Sequence, residues 1–109
     1  MSERVAKVES VIQQVVAMSL RNYLEKDAAG VTVTRIDASP DLHNATVWIG
    51  LLGDNAAESP VWKRIQGLAG RVQHDLGQYM TNKYVPRIHF KLDTGGAYAA
   101  EIDRLLRDI

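Results

Sequence analysis

Cysteine is absent from this 109-residue chain. That excludes a disulfide staple, a thiol nucleophile and a zinc–thiolate site. No run of eighteen apolar residues occurs, so no transmembrane helix is available. The start, Met1-Ser2-Glu3-Arg4, leads straight into an amphipathic pattern and lacks the apolar block of a signal peptide, so a cytoplasmic protein is expected. Net charge is absent too, with 13 Lys and Arg against 13 Asp and Glu. Neither a P-loop nor a dinucleotide-binding glycine fingerprint is found. His43, His74 and His89 are far apart in sequence, and none forms a metal-ligand pair on one helix face. Ser39 and Asp41 sit in a Ser-Pro-Asp stretch that reads as a turn before it reads as a nucleophile and its acid. Asp41 and Asp93 are the remaining pair of carboxylates to consider, and no spacing ties them together. The expectation is a non-enzymatic protein without cofactor, metal or small-molecule substrate.

What is present is a single domain's worth of chain, read as one domain over residues 1–109. The apolar fraction of 46% and the charged fraction of 24% are those of a soluble globular protein with one modest core. The zero net charge hides a strong asymmetry. Between residues 27 and 58, Asp27, Asp37, Asp41, Asp54 and Glu58 face a single Arg35, a net of about −4. Between residues 59 and 92, Lys63, Arg64, Arg71, Lys83, Arg87 and Lys91 face a single Asp75, a net of about +5. A phosphate backbone could use such a dipole, and so could an acidic protein partner; two solvated faces of differing sign would look the same.

Periodicity gives the order of elements. From about Ser2 to Leu24, Val5, Val8, Ile12, Val15 and Ser19 recur at three- and four-residue spacing, predicting an amphipathic helix with Ser2 as N-cap. Asp27-Ala28-Ala29-Gly30 reads as its exit, with Gly30 suited to a positive φ. Residues 31–38 and 45–52 are rich in β-branched side chains and predict an antiparallel hairpin closed by residues 39–44. Residues 60–81 predict one long helix, with Ser59 as N-cap and Trp62, Ile65, Ala69, Val72, Leu76 and Tyr79 along its apolar stripe. Residues 87–92 alternate strictly, with Ile88, Phe90 and Leu92 on one side and Arg87, His89 and Lys91 on the other. A short amphipathic helix from about Gly96 closes the chain. The fold class is therefore α+β, in the order α-β-β-α-β-α, with a three-stranded sheet and helices packed on one face. That order resembles the core of a type II KH domain.

Gly67-Leu68-Ala69-Gly70 interrupts the long helix on its outward face. A kink, a KH-type GXXG backbone clamp, and glycines tolerated without a role are the three readings. Around them stand Lys63, Arg64, Arg71 and His74, followed by Lys83, Arg87, His89 and Lys91. Together with Gly67 and Gly70 these make the candidate RNA-binding set, pictured as a shallow cationic groove beside the helix. The third strand carries no exposed aromatic pair, which favours recognition of backbone and shape over base stacking.

Three stretches are similar to ribosome-binding factor A. They are Val31 through Leu42, with its Ser-Pro-Asp-Leu turn and the following strand to Gly53; Gly70 with Leu76-Gly77; and Lys83-Tyr-Val-Pro-Arg-Ile-His-Phe90 with Asp93 and Ile102-Asp-Arg-Leu-Leu106. The resemblance runs over nearly the whole chain in the right order. It implies a KH-like fold in which a kinked helix around an Ala-x-Gly element replaces the GXXG loop. It also implies a monomer without catalysis or membrane attachment. The implied partners are the free small (30S) ribosomal subunit and its 16S rRNA, bound near the 5′ end and the decoding-site helix during late maturation. The sequence departs from that pattern at the kink, where Leu68-Ala69-Gly70 replaces Ala-x-Gly and Gly67 restores a formal GXXG. The alternative is a generic KH-type binder of single-stranded RNA acting outside the ribosome.

Overall fold

Helix α1 spans Glu3–Leu24. Its stripe of Val8, Ile12, Val15, Val16, Leu20 and Leu24 is buried, each side chain contributing about 1.5–3 kcal/mol of hydrophobic stabilisation. We describe residues 3–53, 55–80 and 84–94 of a computed structural model. The expected Ser2 cap, the closing helix from about Gly96 and Lys83 lie outside the described residues.

The exit from α1 differs from the expectation at Gly30. The left-handed residue is Glu25, at φ 54°, and Glu25–Gly30 then forms a 3₁₀ turn in which Gly30 does not take a positive φ. The chain reverses as soon as Leu24, the last buried residue of the stripe, is in place. Gly30 sits five residues later, against Leu52, where an added Cβ would make ordinary contact at 3.6 Å.

Strands β1 (Val31–Ala38) and β2 (Asn44–Leu51) pair antiparallel, and β3 (Arg87–Leu92) pairs parallel to β2, giving the order β1-β2-β3. The result is an α+β fold with a three-stranded mixed sheet and helices packed on one face. A register shift between Val33 and Arg35 leaves Thr34 in a bulge. The bulge moves the inward set from Val31 and Val33 to Ile36 and Ala38, so both halves of β1 face the helices. On β2 and β3 the alternation is strict. Ala45, Val47 and Ile49 stand beside Ile88, Phe90 and Leu92 on the covered face.

The β1–β2 turn is held by its own polar groups. Ser39 Oγ donates to Asp41 Oδ1 at 2.6 Å, and the His43 amide donates to the same oxygen at 3.0 Å. Leu42 takes φ 61° and is buried, so a left-handed residue is accepted in exchange for one more core side chain. Those two hydrogen bonds hold the Asp41 carboxyl below its ordinary pKa, the Ser39 hydroxyl contributing most.

The expected long helix is two helices. α2 spans Pro60–Gly67, capped by Ser59 Oγ accepting from the Val61 amide, and α3 spans Ala69–Tyr79. Leu68, at φ −89° and ψ −3°, breaks them. Trp62, Ile65, Val72 and Leu76 are buried as the stripe requires, but Tyr79 is 59% exposed. The break turns α3 about the stripe, and Met80 takes the inward place at the end.

A polar seam fixes how α3 lies against α1. Asp75 Oδ2 accepts from Tyr23 Oη at 2.8 Å and from the buried Ser19 Oγ at 3.0 Å. Arg64 closes the C-terminal end of α1 by donating to the Tyr23 carbonyl and to Asp27, both at 2.9 Å.

Two outcomes are expected from these contacts. Ser19→Ala removes one of the two hydroxyls on Asp75 and should lower stability by about 1–2 kcal/mol, read as a lower urea midpoint at constant m. An unchanged midpoint would show that Tyr23 alone satisfies the carboxylate. Asp41 has a lowered folded pKa, so its contribution is complete above the ordinary carboxylate value and is lost as pH falls through the lowered one. Asp41→Asn should therefore flatten the acid limb of a stability–pH curve while leaving its alkaline limb in place.

Candidate nucleic-acid interface

The helices cover one face of the sheet and leave the other bare. Because side chains alternate across a strand, burying Ile88 sends Arg87, His89 and Lys91 to the uncovered face. Gln73 of α3 locks that orientation. Its side-chain amide donates to the Pro86 carbonyl at 2.9 Å and accepts from the Ile88 amide at 2.8 Å, tying the start of β3 to the helix layer.

Opposite those cations the register places Asn44 beside Arg87, Thr46 beside His89, and Trp48 beside Lys91. His89 Nε2 lies 3.2 Å from Asn44 Oδ1. At the near end of the strands, His43 meets the ring of Tyr84 edge-on, with centroids 5.7 Å apart and Tyr84 58% exposed. No carboxylate of the described residues is in ion-pair range of Arg87 or Lys91.

Trp48 stands at the centre of this face, between the two outer strands. The Arg35 guanidinium is 4.6 Å from its ring centroid and the Lys91 ammonium 5.9 Å. Contacts of this kind at exposed sites are worth about 0.5–1 kcal/mol each. Asp37 accepts from the indole N–H at 2.9 Å and pairs with Arg35 at 3.2 Å.

The helical members of the expected set stand elsewhere. Lys63, Arg64, Gly67, Gly70, Arg71 and His74 are exposed on the helix layer, so the sheet separates them from Arg87, His89 and Lys91. A single groove joining strand and helix is therefore not formed, because the apolar side of β3 faces the helices and its basic side faces away. Several of the helical cations are also engaged. Arg64 holds Asp27, and Arg71 lies 5.8 Å from the Tyr23 ring. His74 approaches Gln78 at 3.5 Å. Tyr23 itself is raised above its ordinary pKa, first by its hydrogen bond to Asp75 and then by desolvation.

Between Gly67 and Gly70 the backbone keeps its helical character. Leu68 N donates to both Arg64 O and Ile65 O, at 3.1 and 3.0 Å, and Leu68 O accepts from Val72 N at 2.9 Å. The element is a kink, not an extended GXXG loop. Neither glycine has a positive φ, and an added Cβ would meet nothing within 4 Å at either one.

The groups weighed for other chemistry do not assemble. Asp41 and Asp93 lie at opposite ends of β2, Asp93 beside Ile49 and Thr34. Ser39 gives its proton to Asp41 and has no imidazole as a base. Among the described residues no three His, Cys, Asp or Glu side chains are grouped to hold a metal, and no helix is long and apolar enough to cross a membrane. An open cleft of about 380 Å³ lies between α1, the 3₁₀ turn and β1, lined by Ala17, Leu20, Ala28, Val31 and Val33 among others. Its walls are mostly apolar, and none of the candidate RNA-binding residues lines it.

Comparison with known proteins adds an independent line. The family model for ribosome-binding factor A matches residues 4–106. Ribosome-binding factor A of Thermomicrobium roseum is 30% identical over 109 residues, covering 99% of this chain and 84% of the relative. That of Lactobacillus johnsonii is 33% identical over 111 residues, covering 100% and 90%. A solution structure of a Thermotoga maritima protein described as a ribosome binding factor A superposes with a TM-score of 0.69 at 25% identity, over 88% of this chain and 92% of that one. The crystal structure of ribosome-binding factor A from Thermus thermophilus shares the fold, with a TM-score of 0.67 at 15% identity over 81% and 94%.

The glycines at the kink yield a separable prediction. With open space at both positions, Gly67→Ala and Gly70→Ala should each stabilise the protein by about 0.5–1 kcal/mol through helix propensity. A rise in thermal midpoint with weakened ribosome binding would mark the bare kink backbone as a contact. A rise with binding unchanged would assign the glycines no role there.

Proposed function

Because the chain belongs to the ribosome-binding factor A family, we propose that it is a non-enzymatic, single-domain assembly factor that binds the free small ribosomal subunit. In this reading it acts in the cytoplasm as a monomer, assisting late maturation of the subunit and processing of 16S rRNA. The family supports the ribosome as partner. The observation that supports RNA over a protein surface is the bare sheet face, on which Arg87 and Lys91 present charge that no described carboxylate neutralises. Lys63 and the kink on the helix layer form a second, weaker candidate contact, and Lys83 belongs to the set by sequence alone.

The mechanism follows from electrostatics. Cations on a rigid strand, spaced by two residues, dock on successive phosphates and hold a maturing rRNA segment in one arrangement. Neutralising about five phosphates makes affinity fall roughly 10²- to 10³-fold between 50 and 200 mM salt. A binder of single-stranded RNA acting off the ribosome would instead hold short oligonucleotides as tightly as assembled subunits.

Co-sedimentation with isolated small subunits, large subunits and joined ribosomes tests the reading. Pelleting with free small subunits alone is the expected result, and pelleting without preference would sink it. Arg87→Glu with Lys91→Glu should abolish most of that binding and reduce the salt slope by about two, with thermal unfolding nearly unchanged. Normal binding by the double variant would remove the sheet face from the mechanism.

A further inference from the structure

We propose that Trp48 is a stacking platform for one unpaired RNA base, so that the bare sheet face reads a single-stranded nucleotide as well as phosphate charge. This deepens the RNA-binding reading above and rests on it. The sequence argument for backbone-only recognition came from the third strand, which has no aromatic pair. The stacking group is on the second strand, and only the parallel register reveals that it stands among the cations.

The two sides of the indole are not equivalent. On the β1 side, Arg35 lies 4.6 Å from the ring centroid and is fixed by Asp37, which also takes the indole N–H. These three residues form a closed triangle that fixes the tilt of the ring. On the β3 side, Lys91 stands 5.9 Å away, holds no carboxylate among the described residues, and has four flexible methylenes. Lys91 is therefore the group that yields. A base entering from the β3 side displaces the ammonium from the ring face, and the ammonium moves to the phosphate of the same nucleotide. The cation loses a weak contact and gains a charge-assisted one, while the ring exchanges a distant cation for a full stacking partner.

The surroundings favour a nucleic-acid occupant over a protein one. Arg87 and Lys91 flank the ring along the strand with their charge unpaired, which suits a polyanion. Tyr84, 58% exposed against His43, offers a second aromatic surface toward the start of β3. Alternating rings and cations along one strand direction are the features by which single strands are held.

The test uses the full chain and two fluorescently labelled probes: hexauridylate, and a ribose-phosphate chain of the same length without bases. Wild-type protein should bind hexauridylate at least severalfold more tightly than the abasic chain, with tryptophan emission quenched on binding. The other tryptophan, Trp62, is buried in the core and supplies a constant background. Trp48→Val should lower hexauridylate affinity roughly 5- to 150-fold, bring it level with the abasic chain and abolish the quenching. Trp48→Phe, a milder change that keeps an aromatic face, should retain part of the preference and guards against a misfolded valine variant. Lys91→Ala should weaken both probes alike.

Equal affinity of the wild type for the two probes would overturn the stacking role. So would a Trp48→Val variant that loses subunit binding while its oligonucleotide affinity is unchanged, since that result assigns the ring to a protein contact. Failure of the wild type to pellet with small subunits, with the base preference and quenching intact, would overturn the ribosomal reading and leave the stacking platform standing.

Discussion

The parallel pairing of β2 with β3 is the constraint from which the rest follows. Parallel strands cannot be joined by a tight turn, so the chain must leave the far end of β2, cross the sheet and return to its near end. α2 and α3 make that crossing and must bury their apolar stripe as they do so. With α1 already on that side of the sheet, one face receives the whole helix layer and the other receives none. A bare face on a three-stranded sheet is thus a consequence of connectivity, and its chemistry is set by whichever residues alternate away from the core. Here those are Arg35 and Asp37, Asn44, Thr46 and Trp48, and Arg87, His89 and Lys91.

Holding that layer in place requires polar contacts as well as apolar ones, because helices packed through small and branched side chains can slide. The carboxylate of Asp75 between Ser19 and Tyr23 fixes α3 along α1, and Gln73, two residues earlier, fixes α3 to the start of β3. One helix therefore sets two registers at once. The break at Leu68 lets it do so: α2 follows the direction needed to bury Trp62 and Ile65, and α3 follows the one needed to bury Val72 and Leu76. Edge protection works the same way on the other side, where Glu9 of α1 accepts the Ala38 amide at 2.9 Å and Gln13 reaches the Val33 carbonyl at 3.4 Å.

Much of this was legible in the sequence, and the parts that were not have definite causes. Three- and four-residue spacing located α1, and alternation located β2 and β3 with their faces, because burial on one side leaves a period. The class of fold and the family followed from the order of those elements and from the Ser-Pro-Asp-Leu and Tyr-Val-Pro segments. The break in the long helix was readable as a glycine-marked irregularity, yet its place at Leu68 depends on tertiary packing. Gly30 misled because glycine permits a positive φ without requiring one, and the chain turned at Glu25 instead. The site was misread in its grouping. Sequence spacing places Arg71 and Arg87 in one basic stretch, but the sheet lies between their side chains. Trp48 was missed as a site residue because its neighbours come from two other strands, and no local pattern encodes the parallel register. The one signal available was its parity, opposite to that of Ala45, Val47, Ile49 and Leu51.

A chain with no net charge can still present a cationic surface if its carboxylates are neutralised locally and some of its cations are not. That is the arrangement here. Asp27 is paired with Arg64 and Asp37 with Arg35, Asp41 is bonded to Ser39 and the His43 amide, and Asp75 lies between two hydroxyls. Asp93 accepts from Thr34 in the bulge at 2.8 Å. Each of these carboxylates performs a structural task, closing a turn, a helix end or a strand end. Arg87 and Lys91 perform none of that kind, and their charge projects from a rigid strand into solvent. Formal charge counts residues equally, whereas a phosphate backbone responds to the potential outside the protein, where a bonded carboxylate is partly screened by its own donor. The dipole in the sequence and the neutrality of the whole are therefore compatible with an RNA partner, because the acidic half acts within the fold and the basic strand acts beyond it.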